Sequence, residues 1–365
     1  MINKKILLIG KYPPIQGGIS SKTYWLYERL AKSGFEFKAI TVKPENYSLN
    51  KLKSDNLSYI CEEKIPWHIP NSNLMFDRLL NKANEVIENF KPDIIETNYL
   101  WPFCSVALFI AQKLNKPLLI RHAGSDILKF YDNEEFKNIM KSYFKYASII
   151  VTNSTCHELI KKICFDLQKI ALMSRYIPDP DYFYDKKLSV KYDILFTSKI
   201  NFFWKKKGID FLLNIIKNNN LKALFIIDGN YLNEVKELIK KIGLSYNVKI
   251  KKFVHPELMP KYYNLCRSVW CWEEADCIDD FSNVIWEACF CNIPCFVNKE
   301  NKNKKEFDIL DKLFPHMIKY YTPKDINKAK FTDIDVDYDF KKNTVITKKY
   351  SDYISQNINI YNNLK

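Results

Sequence analysis

The sequence predicts an α/β protein made of two doubly wound domains. Three observations carry that expectation. Short continuous runs rich in Ile, Leu and Val alternate with segments of helical period, as parallel strands alternate with the helices that connect them. The alternation runs from Lys5 to Ile177 and restarts at Tyr192, after the turn-rich stretch Pro178-Asp-Pro-Asp-Tyr-Phe183. The 365 residues are enough for two domains of ordinary size. The expected division is 1–180 and 190–345, with 346–365 as a terminal helix.

In chain order, Lys5–Ile9 reads as a buried strand, followed by the loop Gly10-Lys-Tyr-Pro-Pro-Ile-Gln-Gly-Gly18, with Ser20 or Ser21 expected to cap the next helix. Strand, glycine loop and helix start is a geometry that holds phosphate. Neither G-x-G-x-x-G nor a P-loop lysine is present, so dinucleotide and P-loop readings are weak. Further strands are expected at Phe37–Val42, near Ser58–Ile60, after Pro92 and after Pro117. The last ends in His122-Ala-Gly-Ser-Asp126, a place where ligands bind in parallel sheets. Asn133–Tyr146 is an amphipathic helix, and Ala147–Val151 and Ala171–Ile177 are strands. In the second half, strands are expected at Tyr192–Thr197, Ala223–Asp228, Val248–Val254, Ser268–Trp272 and Cys295–Val297. A basic loop, Ser198–Gly208, precedes a helix at Ile209–Lys217. Thr322–Asp325 is read as a possible helix start, and Tyr350–Leu364 as the terminal helix.

Composition narrows the function. With 47% hydrophobic and 15% aromatic residues the chain is globular. A net charge of +14 suits phosphate-bearing ligands, an anionic membrane surface or nucleic acid. Nucleic acid is not expected, because the aromatics follow core periodicity and are not interleaved with Lys along one face. Only eight glycines occur, where average usage gives about 25. Those at strand ends (Gly10, Gly17, Gly18, Gly124, Gly208, Gly229) are therefore read as ligand-loop residues. Ten cysteines behind a start too short in apolar residues for a signal peptide imply reduced thiols in the cytoplasm. Cys289, Cys291 and Cys295 have no His at zinc spacing, so they read as small core residues and no metal is expected.

The chemistry concentrates in Cys277-Ile-Asp-Asp-Phe-Ser-Asn-Val-Ile-Trp-Glu-Ala-Cys-Phe-Cys-Asn-Ile-Pro294. Asp279 and Glu287 bracket a loop, Phe281-Ser282-Asn283, that turns into a helix with Ser282 at the N-cap. Unpaired amides at a helix start favour an anion, above all a diphosphate. A carboxylate further in, at Glu287, can reach sugar hydroxyls. A capped helix with surface acids fits the same spacing.

This stretch resembles the E-x7-E signature of retaining glycosyltransferases with the GT-B fold, the family-4 (group 1) type. Phe281, Asn283, Val284, Glu287, Ala288, Cys291 and Pro294 match; Asp279 stands for the first Glu and Asn292 for a Gly. The Pro-Pro-x-x-Gly-Gly loop resembles the family's first glycine loop, His122 and Asp126 its active-site His motif, and Lys199, Lys207 and Gly208 its phosphate-gripping element, with Lys205 and Lys206 as rivals for the Lys207 position. Asp228-Gly229 resembles its G-D-G strand end. The resemblance implies two Rossmann-like domains facing across a cleft, with a last helix crossing back onto the first domain. It also implies retaining transfer of a hexosyl group from a nucleotide sugar to a hydroxyl of a glycan or glycolipid, with no metal and no other cofactor. Gly17, Gly18, Lys199, Lys207, Phe281, Ser282 and Asn283 are implied at the diphosphate, and Glu287 and Gly229 at the nucleoside. His122, Asp279 and Glu287 are implied at the reacting sugar. The implied setting is polysaccharide, lipopolysaccharide or glycolipid synthesis, in the cytoplasm and peripherally at the inner membrane face. A nucleotide-sugar epimerase and an inactive nucleotide-sugar-binding scaffold are the rival readings.

Overall fold

The computed structural model describes residues 4–44, 57–63, 73–122, 124–128, 131–201, 204–252, 254–274, 282–301, 304–329, 331 and 344–364. The chain forms two compact units: residues 1–15, 19–176 and 352–365 make the first, and residues 16–18 and 177–351 the second.

The first unit contains β1 (Lys5–Ile9), α1 (Gly18–Lys32), β2 (Glu36–Pro44), β3 (Leu57–Glu63), α2 (Asn73–Phe90) and β4 (Ile94–Thr97). There follow α3 (Ser105–Leu114), β5 (Leu118–Arg121), α4 (Ser125–Leu128), α5 (Glu134–Tyr146), β6 (Ile149–Thr152), α6 (His157–Ile163) and β7 (Ile170–Leu172). The strands form one parallel sheet in the order β3-β2-β1-β4-β5-β6-β7. The order reverses beside β1, so loops leaving β1 and β4 diverge there and open a place for a ligand. Both faces are covered, which explains the unbroken apolar runs: Ile6–Ile9 are wholly buried. Leu7 and Ile9 pack with α2, α3 and α5, and Ile6 and Leu8 with α1 and the chain's last turn.

Two expectations need correction. α1 starts at Gly18, so Ser20 and Ser21 lie within its first turn and cap nothing. The strand expected at 171–177 is only Ile170–Leu172, because its neighbour β6 ends at Thr152 and the last bond across is Met173 N to Thr152 O.

The second unit contains β8 (Tyr192–Lys199), α7 (Ile209–Asn218), β9 (Ala223–Asp228), α8 (Leu232–Ile242), β10 (Val248–Lys251) and α9 (Met259–Tyr263). It continues with β11 (Cys266–Trp270), α10 (Asn283–Phe290), β12 (Cys295–Asn298), α11 (Lys304–Leu313), β13 (Ile318–Tyr321) and the start of α12 (Thr344–Asn363). Its parallel sheet runs β10-β9-β8-β11-β12-β13, the same doubly wound order. α11 and β13 were not anticipated; buried Phe307, Leu310 and Leu313 give α11 its apolar face amid lysines. At 322–325 there is no α-helix, only the short turn Ile326–Lys328 that follows it.

The end of α12 completes the first unit. Tyr361 is buried there and donates its hydroxyl to Glu96 Oε2 at 2.6 Å. Tyr27 donates to the same oxygen at 3.0 Å, and Arg121 Nε to Oε1 at 2.9 Å. Glu96 is thus a wholly buried carboxylate with its charge paired and both oxygens satisfied. Lys4 Nζ donates to the Tyr361 and Asn362 carbonyls at 2.8 and 3.0 Å and closes the helix C-terminus.

The eight cysteines among the described residues are free, and all but Cys271 are buried. Among the described residues no group of three His, Cys, Asp or Glu could hold a metal ion, and no helix is long and apolar enough to cross a membrane.

Candidate functional site

In the second unit the site is built around α10. Ser282 has the extended backbone of an N-cap (φ −70°, ψ 125°), but its hydroxyl makes no capping bond. Gln16, Gly17 and Gly18 group with this unit, and Asn283 Nδ2 donates to the Gly18 carbonyl at 3.3 Å. A Cβ on Gly18 would lie 3.2 Å from that nitrogen, so glycine permits the approach. At the other end of the helix Asn292 has φ +61°, the left-handed conformation that Asn tolerates in place of Gly.

Glu287 is not a surface acid. It is 4% exposed, on a helix whose Ile285, Trp286, Ala288, Cys289 and Phe290 are also buried. The wholly buried Tyr263 donates its hydroxyl to Oε2 at 2.8 Å. Burial, then the neighbouring Glu287 charge, holds the Tyr263 phenol protonated far above its ordinary pKa, so it remains a donor. Asp279 and Phe281 lie outside the described residues.

In the basic loop the Lys207 side chain turns inward. Lys205–Lys207 form a single 3₁₀ turn before α7. Lys207 Nζ lies 2.6 Å from Glu273 Oε1, and both side chains are largely buried. Glu274 N donates to the Lys206 carbonyl at 2.9 Å, and Trp270 Nε1 to the Lys207 carbonyl at 2.9 Å, so the exit of β11 clamps the turn. Gly208 is left-handed (φ +63°), and a Cβ there would sit 2.4 Å from Trp272 Cδ1. Lys205 is exposed. Lys199 is half-buried at the end of β8, in register with Asp228, the buried last residue of β9. Gly229, at φ +140°, follows; a Cβ would fall 2.5 Å from the Ile200 carbonyl oxygen. Lys199, Lys207, Gly229, Ser282, Asn283 and Glu287 therefore all belong to the second unit.

In the first unit His122 leaves β5 buried, and both ring nitrogens are engaged. Nδ1 accepts from Gly124 N at 3.0 Å, which leaves the proton on Nε2, 2.8 Å from Thr152 Oγ1. Burial, with Lys22 adding to it, pushes the imidazole pKa down to about 3, so the ring is neutral at ordinary pH. Asp126 accepts the Leu100 amide at 3.1 Å and is buried.

Sequence reasoning missed Asn98. This buried residue follows β4, accepts from Lys11 N at 2.7 Å, and donates to the Lys11 carbonyl at 2.7 Å and Thr23 Oγ1 at 2.8 Å. A Cβ on Gly10 would lie 2.3 Å from Asn98 Oδ1. Asn98 therefore pins the start of the glycine loop, and a polar residue ending an apolar strand was the signal for it.

Residues 185–308 match the family model described as glycosyl transferases group 1. An uncharacterised glycosyltransferase of Methanocaldococcus jannaschii is 26% identical over 251 residues; that match spans 67% of this chain and 66% of the relative, just under two thirds of its length. Among solved structures, a sucrose-phosphate synthase from Thermosynechococcus elongatus superposes at TM-score 0.62 and 17% identity, covering 89% of this chain and 87% of that one. Anabaena HepE in complex with UDP and glucose gives TM-score 0.62 at 15% identity, over 97% and 95%. A UDP-GlcNAc 2-epimerase from Methanocaldococcus jannaschii gives 0.55 at 14%, over 95% and 99%. The fold is that of the GT-B glycosyltransferases, and the segment that matches the group 1 model lies in the second unit.

Proposed function

We infer that the protein is a retaining glycosyltransferase that moves a hexosyl group from a nucleotide sugar to a hydroxyl of a glycan or glycolipid, without a metal ion. The observation that carries this reading is Glu287: a buried carboxylate, aimed by Tyr263, just inside a helix whose start is free of a side-chain cap. A carboxylate so held accepts hydrogen bonds from vicinal hydroxyls, while the helix start favours the diphosphate. Lys207, paired with Glu273, and Lys199 supply the cations that balance the leaving diphosphate, with Gly17, Gly18 and the Phe281–Asn283 amides around it. Gly229 opens the backbone toward the nucleoside, and Asp279 takes the donor sugar. HepE, which shares the fold, holds UDP and glucose.

His122 enters as a neutral, fixed ring. With both nitrogens engaged it removes no proton, so the departing phosphate takes the acceptor's proton in this reading. The acceptor pathway is polysaccharide, lipopolysaccharide or glycolipid synthesis at the cytoplasmic membrane face, the setting the family resemblance implies.

The test is a thermal-shift screen of UDP, GDP, ADP, CMP and dTDP sugars without metal, on wild type, Glu287→Ala and the isosteric Glu287→Gln. At ligand a hundredfold above Kd, binding adds about 2.7 kcal/mol. One nucleotide class stabilising wild type and neither variant is the expected result, and transfer to an added acceptor then follows. Silence from a folded wild type overturns the donor site, and donor turnover to an epimerised sugar without acceptor overturns the transferase.

A further inference from the structure

Lys207 already faces an anion. Its Nζ lies 2.6 Å from Glu273 Oε1, with 13% and 9% of the two side chains exposed. Glu273 is the third residue past β11, on the way from the sheet to α10. An acid is out of keeping with the ligand chemistry there, since the lysine it meets is the one placed at the diphosphate.

The carboxylate is not what shapes the lysine turn. Glu274 N donates to the Lys206 carbonyl and Trp270 Nε1 to the Lys207 carbonyl, both at 2.9 Å, and Gly208 closes against Trp272. Those clamps act on the backbone and do not involve the Glu273 side chain. Stability is a poor account of the pair too, because a buried ion pair loses in desolvation roughly what it gains in attraction. What the carboxylate does change is the charge that a second anion meets at Lys207.

An ammonium has three N–H donors, so Lys207 can keep Glu273 and still reach a phosphate oxygen. A charge-assisted bond of ordinary length, about 2.8 Å, brings that oxygen within about 5.5 Å of Glu273 Oε1. This is inside the screening length of physiological salt, and the pair is largely out of water, so the two anions repel. The repulsion grows with the charge of the phosphate. In a nucleotide sugar the diphosphate carries about two charges. When the bond from the sugar to the phosphate oxygen breaks, its electron pair stays on that oxygen, which takes the acceptor's proton and then gives it to solvent. The freed phosphate has its second ionisation near pH 6, so the product carries about three charges near neutral pH.

On the donor reading given above, we propose that Glu273 acts through Lys207 to loosen the nucleoside diphosphate product more than the nucleotide-sugar donor. It offsets part of the lysine's charge, and the more highly charged ligand loses more by that. Donor and product share one site, so the difference keeps spent nucleotide from blocking it.

The test is calorimetric titration of wild type, Glu273→Gln and Glu273→Asp with four matched pairs: UDP and UDP-glucose, GDP and GDP-mannose, ADP and ADP-glucose, dTDP and dTDP-glucose. In the pair that wild type binds, Glu273→Gln tightens the nucleoside diphosphate about tenfold and the nucleotide sugar about threefold or less. Glu273→Asp keeps the charge, and with it the wild-type ratio of the two affinities. A carboxylate that merely braced the turn would cost both ligands alike on either substitution. Product binding that is unchanged or weaker in Glu273→Gln, a ratio that does not move, or an Asp variant that behaves as the Gln variant does, overturns the proposal and leaves the donor site standing. So does a Glu273→Gln chain whose melting shows it unfolded, since the carboxylate is then a brace. A folded wild type that binds no pair overturns the donor site and this role together.

Discussion

Three residues bear most of the chemical argument. Glu287 is buried, and the Tyr263 hydroxyl meets its carboxylate there at 2.8 Å. Tyr263→Phe removes a donor and leaves that carboxylate less satisfied. The expected cost is about 1–3 kcal/mol in urea unfolding, with weaker nucleotide-induced stabilisation. Gly208→Ala forces a Cβ into Trp272 at a positive φ; about 1–3 kcal/mol should be lost, visible as a lowered melting temperature. His122 gives a pH signature. Its folded pKa is about 3 and its ordinary value 6.5, so between these the unfolded chain binds more protons. Its contribution is fully present above pH 6.5 and is lost as pH falls toward 3. Melting temperatures across that window should fall more steeply for wild type than for His122→Asn; parallel curves would mean the ring is not held neutral.

At the scale of elements, the alternation of strands and helices was legible because strands buried on both faces are written as unbroken apolar runs. The β8 to α7 and α10 to β12 passages were read with their order and type correct for that reason. What escaped was written in other terms. α11 buries only Phe307, Leu310 and Leu313 of a short, charge-rich segment, and β13 is a single short edge strand. The burial of Glu287 was invisible locally, since its partner Tyr263 sits 24 positions away on another helix. Lys207 could not be told from Lys205 and Lys206, because its distinguishing partner, Glu273, is 66 positions away. The cluster on Glu96 is further out of reach: its Tyr361 donor lies 265 positions along the chain. That cluster makes α12 part of the first unit's core. Tyr361→Phe keeps the ring packing and removes one donor from a buried carboxylate, with an expected loss of about 1–3 kcal/mol. Hydrogen exchange should place that loss in residues 4–176 and leave 190–331 unchanged; a uniform effect would contradict the assignment.

For the whole molecule, the two units are not two consecutive stretches. The second is nearly continuous in sequence, and the first is closed by residues from both chain ends. A chain ending at Ser351 should therefore keep proteolytic protection in its second unit and lose it in the first. There Glu96 and Arg121 would lack the Tyr361 hydroxyl, and Lys4 would lack the helix end that it caps.

That closure also sets an order of assembly during synthesis. The first unit's seven strands are made first, yet the surface later covered by Ile360, Tyr361 and Leu364 stays open until those residues leave the ribosome. Making residues 177–351 at ordinary elongation speed takes roughly ten to thirty-five seconds. For that interval the nascent chain carries an uncovered apolar groove around Leu8, Leu26 and Phe37, a waiting station for a chaperone, while the half made later can finish first.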